Sequence, residues 1–200
     1  MLAKLSFLPF YFLLFVVNGT AVCQTGRTTK WVIEKSSSLR VEGRSNINSF
    51  TCSIKEYADR DTLICYNDPS RSISFSGEMH MNIQSFDCES SMITRDMRKT
   101  LKADEYPKMT IRFISLQNMP QLQKKTELIK GWVEVELAGV VKRFELSYSF
   151  LQSGSGYLQM NGGRSFQFSD FNLLPPRKFA GLIRIKNDFE VNFQLVLRTI

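Results

Sequence analysis

The sequence predicts a mainly all-β fold, an antiparallel barrel or sandwich of about eight strands with one short helix. Three observations carry that prediction. Apolar residues recur with period two in several separate stretches, turn-forming residues stand between the stretches, and only one segment shows helical spacing.

The period is clearest from Ile73 to Ile83. There Ile73, Phe75, Met79, Met81 and Ile83 alternate with Ser74, Ser76, Glu78, His80 and Asn82. Val133, Val135 and Leu137 alternate with Glu134 and Glu136, and Phe144, Leu146, Tyr148 and Phe150 with Glu145, Ser147 and Ser149. The last run sets Phe189, Val191, Phe193, Leu195 and Leu197 against Glu190, Asn192, Gln194 and Val196. Strands with one apolar and one wet face belong to antiparallel sheets, because a parallel sheet covered by helices is apolar on both faces. Shorter runs predict strands near residues 31–33, 39–41, 47–54, 109–116 and 157–168. Asn67-Asp68-Pro69, Gly139, Ser153-Gly154-Ser155-Gly156 and Asn161-Gly162-Gly163 are the turn signals, the last either a hairpin end or a bend inside one. Ile93, Met97 and Leu101 recur every four residues. They predict a helix from Ser91 to Lys102, capped by Ser90 or Ser91 and left behind at Tyr106-Pro107.

The N-terminus reads as an export leader over residues 1–23. Lys4 precedes an apolar run from Leu5 to Val17, about 13 residues, shorter than the about 20 a spanning helix takes. Cleavage after Cys23 or after Ala21 places small residues where the peptidase reads them. Acylation of Cys23 is the alternative, against which stand Val22 and Thr20. The exported chain is therefore expected to begin at Gln24 or Val22. An intact mass that still includes residues 1–21 would overturn this, and a diacylglycerol on Cys23 would select the alternative. Residues 24–200 make one domain, with no second stretch long enough to span a membrane as a helix. The net charge of +7 is spread thinly, without the clustered basic face of a nucleic-acid reader.

One ordered set of residues resembles the YceI-like family. Phe86-Asp87-Cys88-Glu89-Ser90-Ser91-Met92 leads into Thr94-Arg95-Asp96-Met97-Arg98-Lys99-Thr100-Leu101-Lys102, then into Glu105-Tyr106-Pro107 and the strand Lys108–Phe113. Gly139-Val140-Val141-Lys142, Ser169-Asp170-Phe171 and the closing strand Phe189–Leu197 continue the likeness, which covers roughly residues 30–198. It implies an eight-stranded antiparallel lipocalin-like β-barrel with one short helix, periplasmic or secreted. It also implies an apolar interior that holds a polyisoprenoid-type lipid without catalysis and without a cofactor. The Gly-rich stretch Asn161–Phe168 and the three cysteines after residue 23 depart from the commoner members.

On that reading the ligand-facing residues are those of the inward strand phases: Met79, Met81, Ile111, Phe113, Val133, Val135, Phe144, Leu146, Val191 and Phe193. The same residues could instead simply fill the barrel, which would leave a structural or interaction module acting through its outer surface. Composition does not separate the two.

Catalytic chemistry has little to stand on. The single histidine, His80, lies on a polar strand phase with no nucleophile elbow in the chain. Cys52, Cys65, Cys88 and His80 lack the paired spacing of a zinc site. Glu134 and Glu136 share one face in the ordinary solvated pattern. Arg95, Arg98, Lys99 and Lys102 form a solvated helix face or meet an anionic head group. In an exported protein the cysteines pair more readily than they ligate. Cys52 and Cys88 each lie two residues after a Phe on an apolar phase, and their pairing is favoured over Cys52–Cys65.

Overall fold

The computed structural model describes residues 26–67, 73–120 and 128–200, so the expected leader lies outside the described residues. Twelve strands follow in order: β1 (Arg27–Ile33), β2 (Ser38–Ser45), β3 (Ser49–Ile54), β4 (Thr62–Asn67), β5 (Ile73–Ser76), β6 (Glu78–Asn82), β7 (Lys108–Leu116), β8 (Ile129–Leu137), β9 (Val140–Gln152), β10 (Tyr157–Gln167), β11 (Arg177–Lys178) and β12 (Ile183–Thr199). One helix, α1 (Ser91–Thr100), stands between β6 and β7.

Eight strands close an antiparallel ring in the order β1-β4-β5-β7-β8-β9-β10-β12, with β12 returning to β1. The expected number is right, but the membership differs. β4 is in the ring although no strand was expected there; its Leu-Ile-Cys-Tyr run hides the period, which shows only as burial of Leu63 and Cys65. The stretches expected at 39–41 and 47–54 form the β2–β3 hairpin, which stands outside the ring. The length of β12, 17 residues, explains this. One edge pairs with β10 from Asp188 to Arg198, while the other serves β2 up to Gln194 and β1 from Leu197.

The hairpin therefore flares away at one end, and its free edge is closed differently. Ser53 and Asp87 exchange backbone hydrogen bonds of 2.8 and 3.0 Å, an isolated antiparallel bridge. One residue to either side, the Cys52–Cys88 disulfide joins the same two segments, as the strand phases favoured. Cys65 remains a free, buried thiol on β4, which burial pushes up to about 11, so it is a poor nucleophile at neutral pH.

Two glycines reshape the expected elements. The strand expected from Ile73 to Ile83 breaks at Gly77, whose φ of 139° suits only glycine and whose hydrogen faces the Thr62 carbonyl. Ile83–Ser85 then forms a 3-10 turn rather than strand. Asn161-Gly162-Gly163 is not a turn. It lies inside β10, paired to β9 on one side and β12 on the other. The Phe193 ring lies across Gly162, in the space a side chain would take.

Helix α1 begins where expected and stops two residues early. The Ser90 hydroxyl caps the Ile93 N–H at 3.5 Å, and Lys102 takes the left-handed conformation (φ 54°) that ends the helical run. Its apolar stripe of Ile93, Met97 and Leu101 packs onto the core at the end of the ring from which β2–β3 flares.

Candidate functional site: an apolar cavity at the helix end

Antiparallel strands present alternate side chains inward, so the interior is lined by the apolar phases already named. At the helix end the strands spread to admit β2 and β3, and their inward side chains no longer meet. The resulting cavity has a volume of about 220 Å³. Leu39 and Val41 of β2, Ile111 of β7, Val135 of β8, Phe166 of β10 and Val191 of β12 form its floor and walls. Met92, Ile93 and Met97 of α1 and Leu101, which caps its end, cover it. The lining runs out to Ile47 and Met92, which are themselves exposed, so the cavity opens to solvent there.

Four polar side chains reach this lining: Asn48, Asp96, Thr100 and Lys178. The two charged ones neutralise each other across the opening. Lys178 Nζ of β11 lies 2.5 Å from Asp96 Oδ1 of α1 and straps the hairpin to the helix. The pair is partly exposed, so its contribution is that of geometry more than of energy.

A second void of about 40 Å³ lies deeper in the ring. Nine of the ten residues expected to face a ligand line it: Met79, Met81, Ile111, Phe113, Val133, Val135, Leu146, Val191 and Phe193. Only Ile111, Val135 and Val191 also line the larger cavity. Phe144 lines neither; its ring packs edge-on to Phe166 at 4.8 Å and against Phe171 at 5.8 Å. Strand phase identified the inward residues but not their depth along the ring. Phe189, on the apolar phase of its strand, and Phe166, Phe168 and Phe171, whose aromatic spacing after a Gly-rich stretch is the available signal, line the cavity without being among the ten. Spacing alone makes Ile93, Met97 and Leu101 one helix face, and only packing shows that this face is the roof.

The motifs that suggested the family converge on this end. The Tyr106 ring lies against Gly139, where a Cβ would come within 2.7 Å of it. Lys142 Nζ reaches Asp170 Oδ1 at 2.7 Å. Burial alone would raise the Asp170 carboxyl, but that ammonium and the Gln167 N–H more than offset it and hold it below the usual carboxylate range. Arg98 departs from the expected solvated face: its guanidinium donates to the carbonyls of Gln84 (2.5 Å) and Phe86 (3.0 Å), tying α1 to the preceding turn. Arg95, Lys99 and Lys102 are exposed.

The polar residues weighed for catalysis lie outside the cavity lining. The His80 ring lies between Asp61 (3.2 Å) and Glu78 (3.4 Å), and its backbone N–H donates to Asp61 and to the Tyr57 hydroxyl. Burial, then the hydrogen bond it donates to Asp61, raises the Tyr57 phenol well above its ordinary value. Glu134 pairs with Arg112, which also holds Glu78, all on the outer face; Glu136 is exposed on that face. The disulfide withdraws two of the three described thiols from metal ligation.

No protein-family model matches the chain, and no curated protein matches it in sequence. Its likeness is to solved structures. BcnA of Burkholderia cenocepacia superposes with a TM-score of 0.61 at 15% identity, over 80% of this chain and 95% of that one. A polyisoprenoid binding domain from Saccharophagus degradans, implicated in plant cell wall breakdown, gives 0.61 at 12% identity over 87% of this chain and 100% of that one. A mutant of the Campylobacter jejuni YCEI protein gives 0.52 at 19% identity over 70% of this chain and 81% of that one. At such identities the likeness establishes the fold, and the fold is the YceI-like one to which the sequence motifs pointed.

Proposed function

We propose that this protein binds an apolar, chain-like lipid of polyisoprenoid type in the cavity at the helix end and carries it unchanged, in the periplasm or outside the cell. The cavity is the observation that carries the reading. Its lining is almost wholly hydrocarbon and aromatic, and its only charged pair is self-neutralised at the opening. Binding then comes from apolar area removed from water, about 25 cal/mol per Å², with weak dependence on the head group. A dry cavity of ~150 Å³ already holds a benzene ring, so about 220 Å³ suits the first part of a branched chain. The rest must displace the side chains around the deeper void, where the flexible Met79 and Met81 are the easiest to move. The polyisoprenoid binding domain of like fold supports the same ligand class. The disulfide supports an oxidising compartment.

Mass spectrometry of lipid extracted from the natively purified protein tests this. An apolar chain in amounts comparable to the protein is the expected result. Protein that emerges empty, and binds no member of a graded isoprenoid series, would sink it. The alternative, a filled module acting through its surface, has one observation in its favour: below the cavity the ring is packed almost solid. That packing predicts affinity rising over short chains only, whereas a carrier that opens its interior gains with length well beyond them.

A further inference from the structure

The rim around the opening carries a feature that holding a chain does not require. Two turns build it. The β2–β3 turn docks on the β11–β12 hairpin through Asn46, whose side chain donates to the Leu182 carbonyl (3.0 Å) and accepts from the Arg184 N–H (2.9 Å). Ile47 at the first tip is 65% exposed and Leu182 at the second 76%. Leu174, on the approach to the hairpin, is 85% exposed, and Met92 at the start of α1 is 48% exposed. Large apolar side chains on turn tips are costly in water unless something covers them.

Charge identifies the cover. From Leu174 to Asn187 the chain holds Arg177, Lys178, Arg184 and Lys186 and no acidic residue. Arg177 and Arg184 are cross-strand partners, so two like charges face each other on the hairpin. Elsewhere several strand cations are matched, Arg112 with Glu78 and Glu134, Lys130 with Glu145, Arg198 with Glu34 and Arg40 with Glu42, while Arg27, Lys30, Lys108, Arg143 and Arg164, which also lack an ion pair, are spread over four other strands. Among the described residues, Arg44, Arg177, Arg184 and Lys186 make no ion pair, and all four are exposed. Exposed apolar tips flanked by unmatched cations suit a bilayer surface with anionic head groups, into which the tips dip while the cations stay at the phosphates.

We infer that the β2–β3 turn and the β11–β12 hairpin together form a docking rim for an anionic lipid surface, which sets the opening of the cavity against the membrane. A chain leaving the cavity there enters hydrocarbon directly. Its apolar area never crosses water, whose cost grows with every methylene. Docking goes beyond the carrier reading and is measurable without it.

Co-sedimentation of the full protein with vesicles tests the rim. Vesicles of equal parts phosphatidylglycerol and phosphatidylcholine should carry the protein down, vesicles of phosphatidylcholine alone should not, and added salt should weaken the association. Leu182→Asp, and separately Arg177→Glu with Lys186→Glu, should each lower the partition at least about tenfold. Lys130→Glu on the outer wall should leave it unchanged. None of these residues lines the cavity, so a fluorescent isoprenoid offered in solution should bind the rim variants as it binds the parent. Failure of that titration in every protein, with vesicle binding intact, would remove the carrier reading and leave docking standing. Equal sedimentation with both vesicle types, none with either, rim variants that behave as the parent, or rim-dependent self-association in place of vesicle binding would each overturn docking.

Discussion

Replacing Val135 by aspartate is expected to reduce binding of an apolar chain at least about 100-fold, equivalent to about 2.7 kcal/mol, while the protein still folds. Val135 lines both the larger cavity and the void beneath it, so a chain passing from one to the other must pass this position. It is half-buried rather than sealed in the core, so water can reach a carboxylate there when the cavity is empty. A bound chain removes that water and leaves the charge without a partner, a penalty of several kcal/mol in an apolar site. Lysine at the same place is a weaker test, because its long stem can carry the ammonium toward the opening. Phe144→Asp is a poor one: Phe144 sits between Phe166 and Phe171, so the substitution removes core packing instead of reporting on the ligand. Glu134→Gln, one residue from Val135 but on the outer face beside Arg112, should leave binding as it was. Titration with a fluorescent isoprenoid, and circular dichroism on each variant, reads the outcome. An unchanged Kd in a folded Val135→Asp protein would show that the chain does not lie in this cavity.

The second large effect is expected from the disulfide. Cys52 and Cys88 are 36 residues apart in sequence. A crosslink closing a loop of that length restricts the unfolded chain by about 4 kcal/mol in the chain-entropy account. Cys52→Ala with Cys88→Ala should therefore lower the melting temperature by about 8–15 °C, since each kcal/mol is worth roughly 2–4 °C at this size. The fold should survive, because the ring is closed by strand pairing elsewhere. The loss should be felt most at the seam, where Ser53 and Asp87 otherwise share only two backbone hydrogen bonds. Amide exchange of these two residues should rise before that of β8 or β9. An unchanged melting temperature would mean that the bridge contributes no net stability. Cys65→Ala, removing a buried thiol of the other wall, should leave exchange at the seam untouched.

Much of the ring was legible because its evidence is local. A strand with one wet face must alternate, so β8, β9 and β12 declared themselves by period alone. Helix α1 declared itself by a capping serine and a four-residue stripe. β4 did not, since four consecutive apolar or aromatic residues show no period until burial selects Leu63 and Cys65. Gly162 and Gly163 misled for a related reason. Glycine serves turns and close approaches equally well, and which one applies depends on Phe193, 31 positions away in the chain and paired across β10 and β12.

Sequence by itself determined the all-β class, the helix and which side of the alternating strands faces inward, and it favoured the pairing of Cys52 with Cys88, because period, caps and phase are properties of neighbouring residues. Only the tertiary structure decided that β12 serves two partners and so spreads the ring at one end. It decided that α1 lies over the gap, that the inward residues divide between a cavity and a nearly filled interior, and that unmatched cations gather beside exposed apolar tips. The reason is that each of these depends on how far strands overlap and where distant segments dock. Side-chain phase repeats identically at every level of a strand, and nothing in that repeat says at which level the walls part.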